Sequence, residues 1–281
     1  MIDTIPLTHG TIARSRTESA DPQLWNNLVS AWVPTLGPTG VELIDIVGKT
    51  NGTLTNGANY QMSPSNGMAV ELDGDDDYVD FGTIPSNHPL QLNTGSGITV
   101  VYQSRQETGG DIWQRVLDKS TAGGGADGWA IYMYPTTLEI QMGVDGLAVL
   151  STVTSAYAPN VWNTVACCYS VNDSSIRRVW VNGVQKLSAS DTKAIPNVAT
   201  GLKLGTPPAG SGREWEGGFG PVLVYNTCLD RSVVYRLTDD ILAPFRRRRI
   251  SYGKSITAPA VDIPALMLTI NNRIENSLLQ R

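Results

Sequence analysis

Four aspartates crowd five consecutive positions of the segment VELDGDDDYVDFG, residues 70–82. They are Asp73, Asp75, Asp76 and Asp77. Carboxylates at this density can bind a hard cation such as Ca²⁺, serve as a catalytic acid–base pair, or form a polar turn. The spacing opens like an EF-hand loop, but Tyr78 stands where that loop requires glycine and Ile84 where it requires a bidentate glutamate. We therefore interpret the segment as a solvated hairpin turn; the alternative is a structural calcium ion held by Asp75 and Asp77, and no other cofactor is expected.

Three tryptophans follow glycine-rich or polar loops and are candidates for a glycan-binding surface. They are Trp113, Trp129 and Trp215. An exposed indole ring at such a position can stack on the face of a sugar. The interpretation that we favour for each is packing in the core or at its rim, because large aromatic side chains dominate the cores of β proteins.

Other kinds of reactive centre lack the residues they need. The chain has two histidines, and His9 and His88 lie far apart in polar segments, so neither a Ser-His-Asp triad nor a zinc site is predicted. The tripeptide GKT at 48–50 lacks the upstream glycine of a phosphate-binding loop, because Leu43 occupies that position.

The formal net charge of −5 is unevenly distributed. Residues 246–281 carry seven basic and two acidic side chains, so residues 1–245 carry a net charge of −10. Nucleic-acid binding by this acidic body is not expected, since phosphate binding depends on positive charge. The basic run comprises Arg246, Arg247, Arg248 and Arg249. It is predicted to clasp the acidic body or a neighbouring subunit.

A second amphipathic segment follows the basic run and is predicted to be a helix. Its apolar positions are Leu266, Ile270, Ile274 and Leu278. An isolated helix of this length is marginal in water, so its apolar stripe needs a partner. We expect residues 246–281 to serve as an attachment and oligomerisation tail in a homo-oligomer. The alternative is that the tail folds back onto its own body.

The sequence also bears on cellular location. No apolar run reaches the ~18 residues of a membrane-spanning helix, so membrane insertion is not expected. The first residues lack the layout of a secretory signal. Cys167 and Cys168 are adjacent and poorly placed to pair, so free thiols are expected. These features predict a protein assembled in a reducing cytoplasm, or one exported without a signal.

Alternation of apolar and polar residues indicates many short strands. Examples are MAVEL, DYVDF, GITVVYQS, GWAIYMY, NTVACCYSV and RRVWVNG. Asp73-Gly74 and Asn182-Gly183 are typical of tight hairpin turns. One short helix is predicted in LDRSVVYRLTDDIL, residues 229–242. At least ten predicted strands with few helices indicate an all-β antiparallel sandwich.

The predicted organisation has three parts. We interpret residues 1–27 as an N-terminal arm, residues 28–245 as the sandwich with its closing helix, and residues 246–281 as the tail. Five blocks of the sandwich resemble, in order, the laminin-G-like and concanavalin A-like jelly-roll domains. The blocks are LVSAW (28–32), AVELDGDDDYVDFG (69–82), VWNTVACCYS (161–170), RRVWVNGVQ (177–185) and the segments within 201–237. This resemblance implies a jelly-roll fold with two antiparallel sheets.

Two flanking segments carry a narrower resemblance. LWNNLVSAWVPTLGPTG (24–40) and ILAPFRRRRISY (241–252) are similar to laminin-G-like proteins encoded among the structural genes of tailed bacteriophages. The resemblance implies a virion component assembled in the host cytoplasm, with other virion proteins as partners.

The jelly-roll family also includes lectins and glycoside hydrolases, and their site residues can be compared with this sequence. The loop that carries calcium ligands in pentraxin-like relatives corresponds to 206–212, which has no carboxylate before Glu214. Hydrolases of this fold often carry an E-x-D-x-E strand, whereas here Glu139 is single and the pair Glu214 and Glu216 lacks the aspartate. We therefore predict that the protein is not an enzyme.

The functional prediction is a non-catalytic bacteriophage surface protein that decorates the capsid, forms a head fibre or belongs to the tail. The first alternative is a tail adhesin that binds a host surface glycan. The second alternative is a glycoside hydrolase on the same fold.

Overall fold

The computed structural model describes most of the chain between its two terminal segments. The described residues are 12–36, 40–48, 50–63, 67–91, 97–107, 113–121, 127–135, 137–144, 155–170, 176–190, 195–208 and 212–248. They form two antiparallel sheets that pack face to face, together with one α-helix, α1 (Arg231–Asp239). The predicted antiparallel sandwich with a short closing helix is confirmed. Within these ranges, no helix has the length and apolarity needed to cross a bilayer.

Fifteen strands are present in the described part of the chain. In chain order they are β1 (Leu28–Trp32), β2 (Glu42–Leu43), β3 (Gly52–Thr55), β4 (Asn59–Ser63), β5 (Gly67–Asp73), β6 (Tyr78–Ile84), β7 (Gly97–Gln106), β8 (Gln114–Lys119), β9 (Trp129–Tyr134), β10 (Glu139–Val144), β11 (Asn163–Ser170), β12 (Ile176–Val181), β13 (Val184–Ser190), β14 (Thr200–Leu204) and β15 (Glu216–Tyr225). The first sheet has the order β13-β12-β11-β7-β15-β5-β4, and β1 also pairs with β15. The second sheet has the order β10-β9-β8-β14-β6-β3-β2.

The period of two along each strand divides the side chains between two apolar layers. In β7, Val100 and Tyr102 lie in the core between the sheets, whereas Val101 faces away from it. Strand β11 divides its two adjacent cysteines in the same way, with Cys167 inward and Cys168 outward. The first sheet is therefore apolar on both faces, as expected of a sheet that is covered on both sides.

The outer face of the first sheet is covered by the N-terminal arm, α1 and the segment that follows α1. Buried arm residues Ile12 and Leu24 pack in this outer layer with Val234 and Leu237 of α1 and with Phe245. The described part of the arm therefore belongs to the packed body.

The two ends of the described body run side by side. The amide of Ala13 donates to the carbonyl of Phe245 at 2.8 Å, and the amide of Arg248 donates to the carbonyl of Glu18 at 2.8 Å. Arg246 and Arg247 form single β-bridges with arm residues, and the Arg246 side chain pairs with Asp240. Arg246, Arg247 and Arg248 thus contact the protein's own body through their backbones, and Arg246 adds an ion pair; the electrostatic clasp stays a prediction.

The boundary between two units of the chain falls after Arg248. Arg249 and the predicted helical stripe lie outside the described residues. The stripe comprises Leu266, Ile270, Ile274 and Leu278. Their roles in attachment and oligomerisation stay predictions.

The hairpin predicted at Asp73-Gly74 is wrong. Strand β5 belongs to the first sheet and β6 to the second, so residues 74–77 cross from one sheet to the other at the rim of the sandwich. Gly74 has a φ of 82°, which a glycine adopts without strain. The hairpin at Asn182-Gly183 is present between β12 and β13, and both residues have positive φ.

The expectation that the three cysteines are free thiols is also wrong. Cys168, on the outer face of β11, forms a disulfide with Cys228 just before α1, with 5.3 Å between the two Cα atoms. Cys167 is free and buried in the core. The two adjacent cysteines do not pair with each other, and the partner of Cys168 lies 60 residues away in the sequence.

Candidate functional site

The outer face of the second sheet differs chemically from that of the first. The first sheet presents an apolar layer that the arm and α1 cover. The central strands of the second sheet, β9, β8 and β14, instead direct polar and aromatic side chains outward. Polar groups concentrated on one face of an otherwise apolar scaffold are the default candidates for ligand binding.

Strand β9 shows how the sequence produces this face. Trp129, Ile131 and Met133 point into the core, so the alternating residues Tyr132 and Tyr134 point outward.

An irregularity in the pairing of β8 with β9 directs two charged side chains of β8 outward. Arg115 pairs with Tyr132, and the register shifts before Leu117, which pairs with Ile131. Val116 is the extra residue, and both Val116 and Leu117 are buried in the core. The shift places Arg115 and Asp118 on the same outer face although they are three positions apart, as a β-bulge allows.

Arg115, Asp118 and Tyr132 form a compact polar cluster. The Nε atom of Arg115 lies 2.9 Å from Oδ2 of Asp118, and the guanidinium carbon lies 4.6 Å from the centre of the Tyr132 ring. The hydroxyl of Ser120 donates to Oδ1 of Asp118 at 2.5 Å. The exposed fractions of the three clustered side chains are only 1%, 0% and 3%. Charges this deeply buried require pairing, which the ion pair supplies.

Three donors of the cluster have no hydrogen-bond acceptor among the described residues. They are Nε and Nη2 of Arg115 and the hydroxyl of Tyr132, and Nε contacts Asp118 only as an ion pair. A buried donor without an acceptor costs about 1–3 kcal/mol. Such groups in a native protein usually await a water molecule or a ligand.

Burial also changes the acid–base properties of the cluster. It raises the pKa of Asp118 to about 6, and this effect outweighs the opposing hydrogen bond from Ser120 and the charge of Arg115. Burial likewise lowers the pKa of Arg115 and raises the pKa of Tyr132. A carboxyl that keeps its proton at weakly acidic pH is typical of functional sites.

Trp113 extends the cluster with an aromatic surface. Its ring centre lies 5.4 Å from that of Tyr132 in an edge-to-face arrangement and 4.7 Å from that of Tyr134 in a tilted one. Trp113 and Tyr134 are half-buried and therefore keep part of their rings accessible. We call Trp113, Arg115, Asp118 and Tyr132 the Arg115 site.

The other two predicted sugar-stacking tryptophans require correction. Trp129 and Trp215 are fully buried in the core between the sheets. Trp215 packs there against Phe219, with 4.8 Å between ring centres. A buried ring presents no face to a ligand, so of the three only Trp113 remains a candidate for stacking.

Further charged residues lie on the same face as the Arg115 site. In the strand register, Lys203 of β14 lies opposite Asp118 of β8 on one side and opposite Asp80 of β6 on the other. Asp80 and Asp118 are therefore two strands apart, about 10 Å between Cα atoms. Of the carboxylates considered from sequence, Glu139 of edge strand β10 lies opposite Tyr134 and therefore on this same face, whereas Glu216 lies on the first sheet.

The aspartates at the rim form a second acidic group. Asp73, Asp76 and Asp77 each place a carboxylate oxygen within 4.8 Å of the others. Asp77 is buried, and its Oδ1 accepts a hydrogen bond from the amide of Gly57. Asp75 lies outside this group, and its amide donates to Asp73. Structural calcium stays a prediction, and the residues placed to bind it are Asp73, Asp76 and Asp77.

Comparison with known proteins gives the family. The family model described as the concanavalin A-like lectin/glucanases superfamily matches residues 73–234. None of the curated proteins compared with the chain matches it.

Several solved structures share the fold. Trypanosoma rangeli sialidase in complex with sialic acid is 14% identical with a TM-score of 0.57, and the match covers 77% of this chain and 33% of the sialidase. The same enzyme with the inhibitor DANA is 14% identical with a TM-score of 0.55, over 76% of this chain and 33% of the enzyme. This chain thus spans about a third of the sialidases' length.

A match that covers nearly a whole solved chain is domain 4 of AbnA, a GH43 extracellular arabinanase from Geobacillus stearothermophilus, in complex with arabinotriose. It is 16% identical with a TM-score of 0.55, and the match covers 75% of this chain and 98% of that domain.

These comparisons correct the prediction that the protein is not an enzyme. The matching family includes glucanases, and the structural relatives are sialidases and part of an arabinanase. An E-x-D-x-E strand is one of several arrangements of catalytic carboxylates, so its absence does not exclude an enzyme. From its fold and from the match over more than half of its length, the chain belongs to the concanavalin A-like lectin/glucanase superfamily.

Proposed function

We propose that the protein binds oligosaccharides on the outer face of the second sheet, at the Arg115 site. The observation that carries the proposal is the half-exposed aromatic surface of Trp113 and Tyr134, which lies over the buried Arg115–Asp118 ion pair. A sugar presents an apolar C–H face that such rings can bind.

Two further observations support this location. The corresponding face of the first sheet is covered by the arm and α1, so it offers no comparable surface. A domain that matches this chain over 98% of its own length is in complex with arabinotriose. The host-glycan alternative is therefore the better-supported part of the sequence-based prediction.

Replacement of Trp113 with alanine tests the proposal. We expect a glycan array to identify bound oligosaccharides for the wild type, and calorimetry to show that Trp113→Ala weakens binding about tenfold. The matched control is Trp162→Ala, because Trp162 is also half-buried but lies beside Arg105 of the first sheet. Equal affinity of the wild type and Trp113→Ala would show that the ring does not contribute to glycan binding. An array without any bound glycan would refute carbohydrate binding.

A second candidate function is glycoside hydrolysis, with Asp118 as the general acid. The pKa of Asp118, raised to about 6 mainly by burial, suits a group that protonates a leaving oxygen at weakly acidic pH. Asp80 lies on the same face, two strands away, and would be the second carboxyl that such a reaction needs.

The hydrolase candidate predicts release of reducing ends from any glycan that the protein binds, with an optimum below neutral pH. Asp118→Asn should abolish the release, whereas Glu216→Gln on the first sheet should leave it unchanged. Loss of activity in Glu139→Gln or Glu216→Gln alone would instead favour the sites considered from sequence. If the bound glycans stay intact in every sample, the hydrolase candidate is refuted and binding without hydrolysis remains.

We also propose that the domain is displayed on a bacteriophage virion. This part rests on the resemblance of segments 24–40 and 241–252 to phage structural proteins. Virion proteins as partners, a homo-oligomer and assembly in the host cytoplasm follow from the same resemblance and remain predictions.

A further inference from the structure

Strand β4 is an unprotected edge of the first sheet. In the described part of the chain the first sheet ends at β13 and β4, and the second ends at β10 and β2. Open edges can pair with other chains, so proteins usually guard them with charges, bulges, proline or very short strands. Strand β2 has two residues, β10 carries Glu139, and β13 carries Lys186 and a register shift against β12. Strand β4, with the sequence NYQMS, has neither a charge nor a proline, and its register with β5 is continuous.

The rim of the sandwich along β4 is also exposed and partly apolar. Tyr60 packs against the core between the sheets, and Met62, two positions later on the same side of the strand, is nevertheless 76% exposed. The Tyr60 hydroxyl donates to the carbonyl of Glu42 at 2.5 Å, which joins β4 to β2 at this rim. Val41, next to Glu42 in the chain, is 63% exposed. An apolar side chain of the inner layer thus meets solvent beside an open strand edge.

We propose that β4 pairs with β4 of a second copy of the chain, antiparallel and around a twofold axis at Gln61, so that the first sheet continues through a dimer. In this register the strand is complementary to itself. Tyr60 lies opposite Met62 of the partner subunit, and contacts between a thioether and an aromatic ring are favourable. Asn59 lies opposite Ser63 of the partner subunit, and Gln61 lies opposite its own copy, so polar side chains face polar side chains.

The charge distribution favours a second copy at this position. Residues 1–245 carry a net charge of −10, so two bodies repel each other unless they meet at a surface without charge. Strand β4 is such a surface. Glu71 of β5 lies opposite Asn59, and antiparallel pairing places the Glu71 side chains of the two copies at opposite ends of the interface. Because a five-residue strand buries less than the ~1,200 Å² of a standard interface, we expect a dissociation constant of about 10–100 µM.

The symmetry of the dimer has a consequence for the Arg115 site. The twofold axis of an antiparallel pair is perpendicular to the sheet, so both copies present the same face on the same side. The two Arg115 sites therefore point in one direction, and a surface that carries many glycans would engage both at once. This consequence rests on the proposed function, whereas the dimer itself does not.

Sedimentation equilibrium of the full chain, without any glycan, tests the dimer. Gln61→Lys and Gln61→Glu each place like charges opposite each other at the twofold axis, so each should weaken the dimer about tenfold or more. An equimolar mixture of the two variants brings an ammonium opposite a carboxylate and should associate about as strongly as the wild type. Gln185→Lys, at an exposed glutamine on β13 at the other edge of the same sheet, is the matched control and should behave as the wild type. Thermal unfolding verifies that the variants are folded.

A cysteine at the axis provides an independent measurement. Gln61→Cys should form a covalent dimer on mild oxidation, because directly opposite residues of an antiparallel pair are close enough for a disulfide. A wild type that stays monomeric up to about 500 µM would overturn the inference. Equal association of the wild type, Gln61→Lys and Gln61→Glu would place the contact elsewhere, and weakened variants without recovery in the mixture would exclude pairing around Gln61. Loss of glycan binding alone would refute the proposed function and leave the dimer unaffected.

Discussion

Replacement of Cys228 with serine is expected to lower the free energy of unfolding by about 4 kcal/mol. The disulfide joins β11 in the centre of the first sheet to the start of α1, and it closes a loop of 60 residues. Its loss gives the unfolded chain the conformational freedom of that loop, and it also frees α1 from the sheet that it covers. Urea denaturation followed by tryptophan fluorescence measures the difference.

Reductant provides the control for this prediction. Dithiothreitol should bring the wild type to the stability of Cys228→Ser and should not change the variant. Cys228 is half-buried, so the serine itself adds little cost. A wild-type midpoint that is the same with and without reductant would show that the bond contributes nothing to stability.

Replacement of Asp118 with alanine is expected to cost about 3–5 kcal/mol. The substitution leaves the guanidinium of Arg115 buried, with an exposed fraction of 1%, and removes its counter-ion. Asp118→Asn should cost less, because the amide keeps the shape of the side chain and an acceptor for Ser120. Chemical denaturation at pH 7 ranks the two variants, and equal stability of Asp118→Ala and the wild type would contradict the role of the ion pair.

The free energy of unfolding of the wild type relative to Asp118→Asn is also expected to depend on pH. The pKa of Asp118 is raised from 3.8 to about 6, so between these values the folded protein holds a proton that the unfolded chain releases. Its contribution to stability is therefore fully present below about pH 4 and is lost as the pH rises through 6. The wild type should lose on the order of 2–3 kcal/mol relative to Asp118→Asn over this range. A difference that stays constant from pH 4 to 7 would show that Asp118 titrates normally.

The fold could be predicted because its signals are local. Alternating apolar and polar residues identify strands β7, β9, β11 and β12 in the sequence, as GITVVYQS does for β7. The same alternation places Trp129 inward together with Ile131. The predicted helix forms as α1 because Val234 and Leu237 share one buried face. These features depend on neighbours within a few positions.

The Arg115 site could not be predicted because its geometry depends on partners that are distant in sequence. In QRVLDK, residues 114–119, strict alternation places Arg115 and Asp118 on opposite faces, and only the bulge opposite β9 brings them together. The disulfide likewise joins residues that no local pattern relates. Asp-Gly favours a hairpin and a sheet-to-sheet crossing alike, so the sequence at 73–77 does not distinguish the two.

The pairing of Ala13 with Phe245 and of Glu18 with Arg248 brings the two ends of the described body together. Residues 12 and 248 both lie on the side covered by the arm and α1, and the Arg115 site lies on the opposite face of the sandwich. An attachment made at either of these two residues would therefore leave the proposed glycan-binding face directed away from the point of attachment.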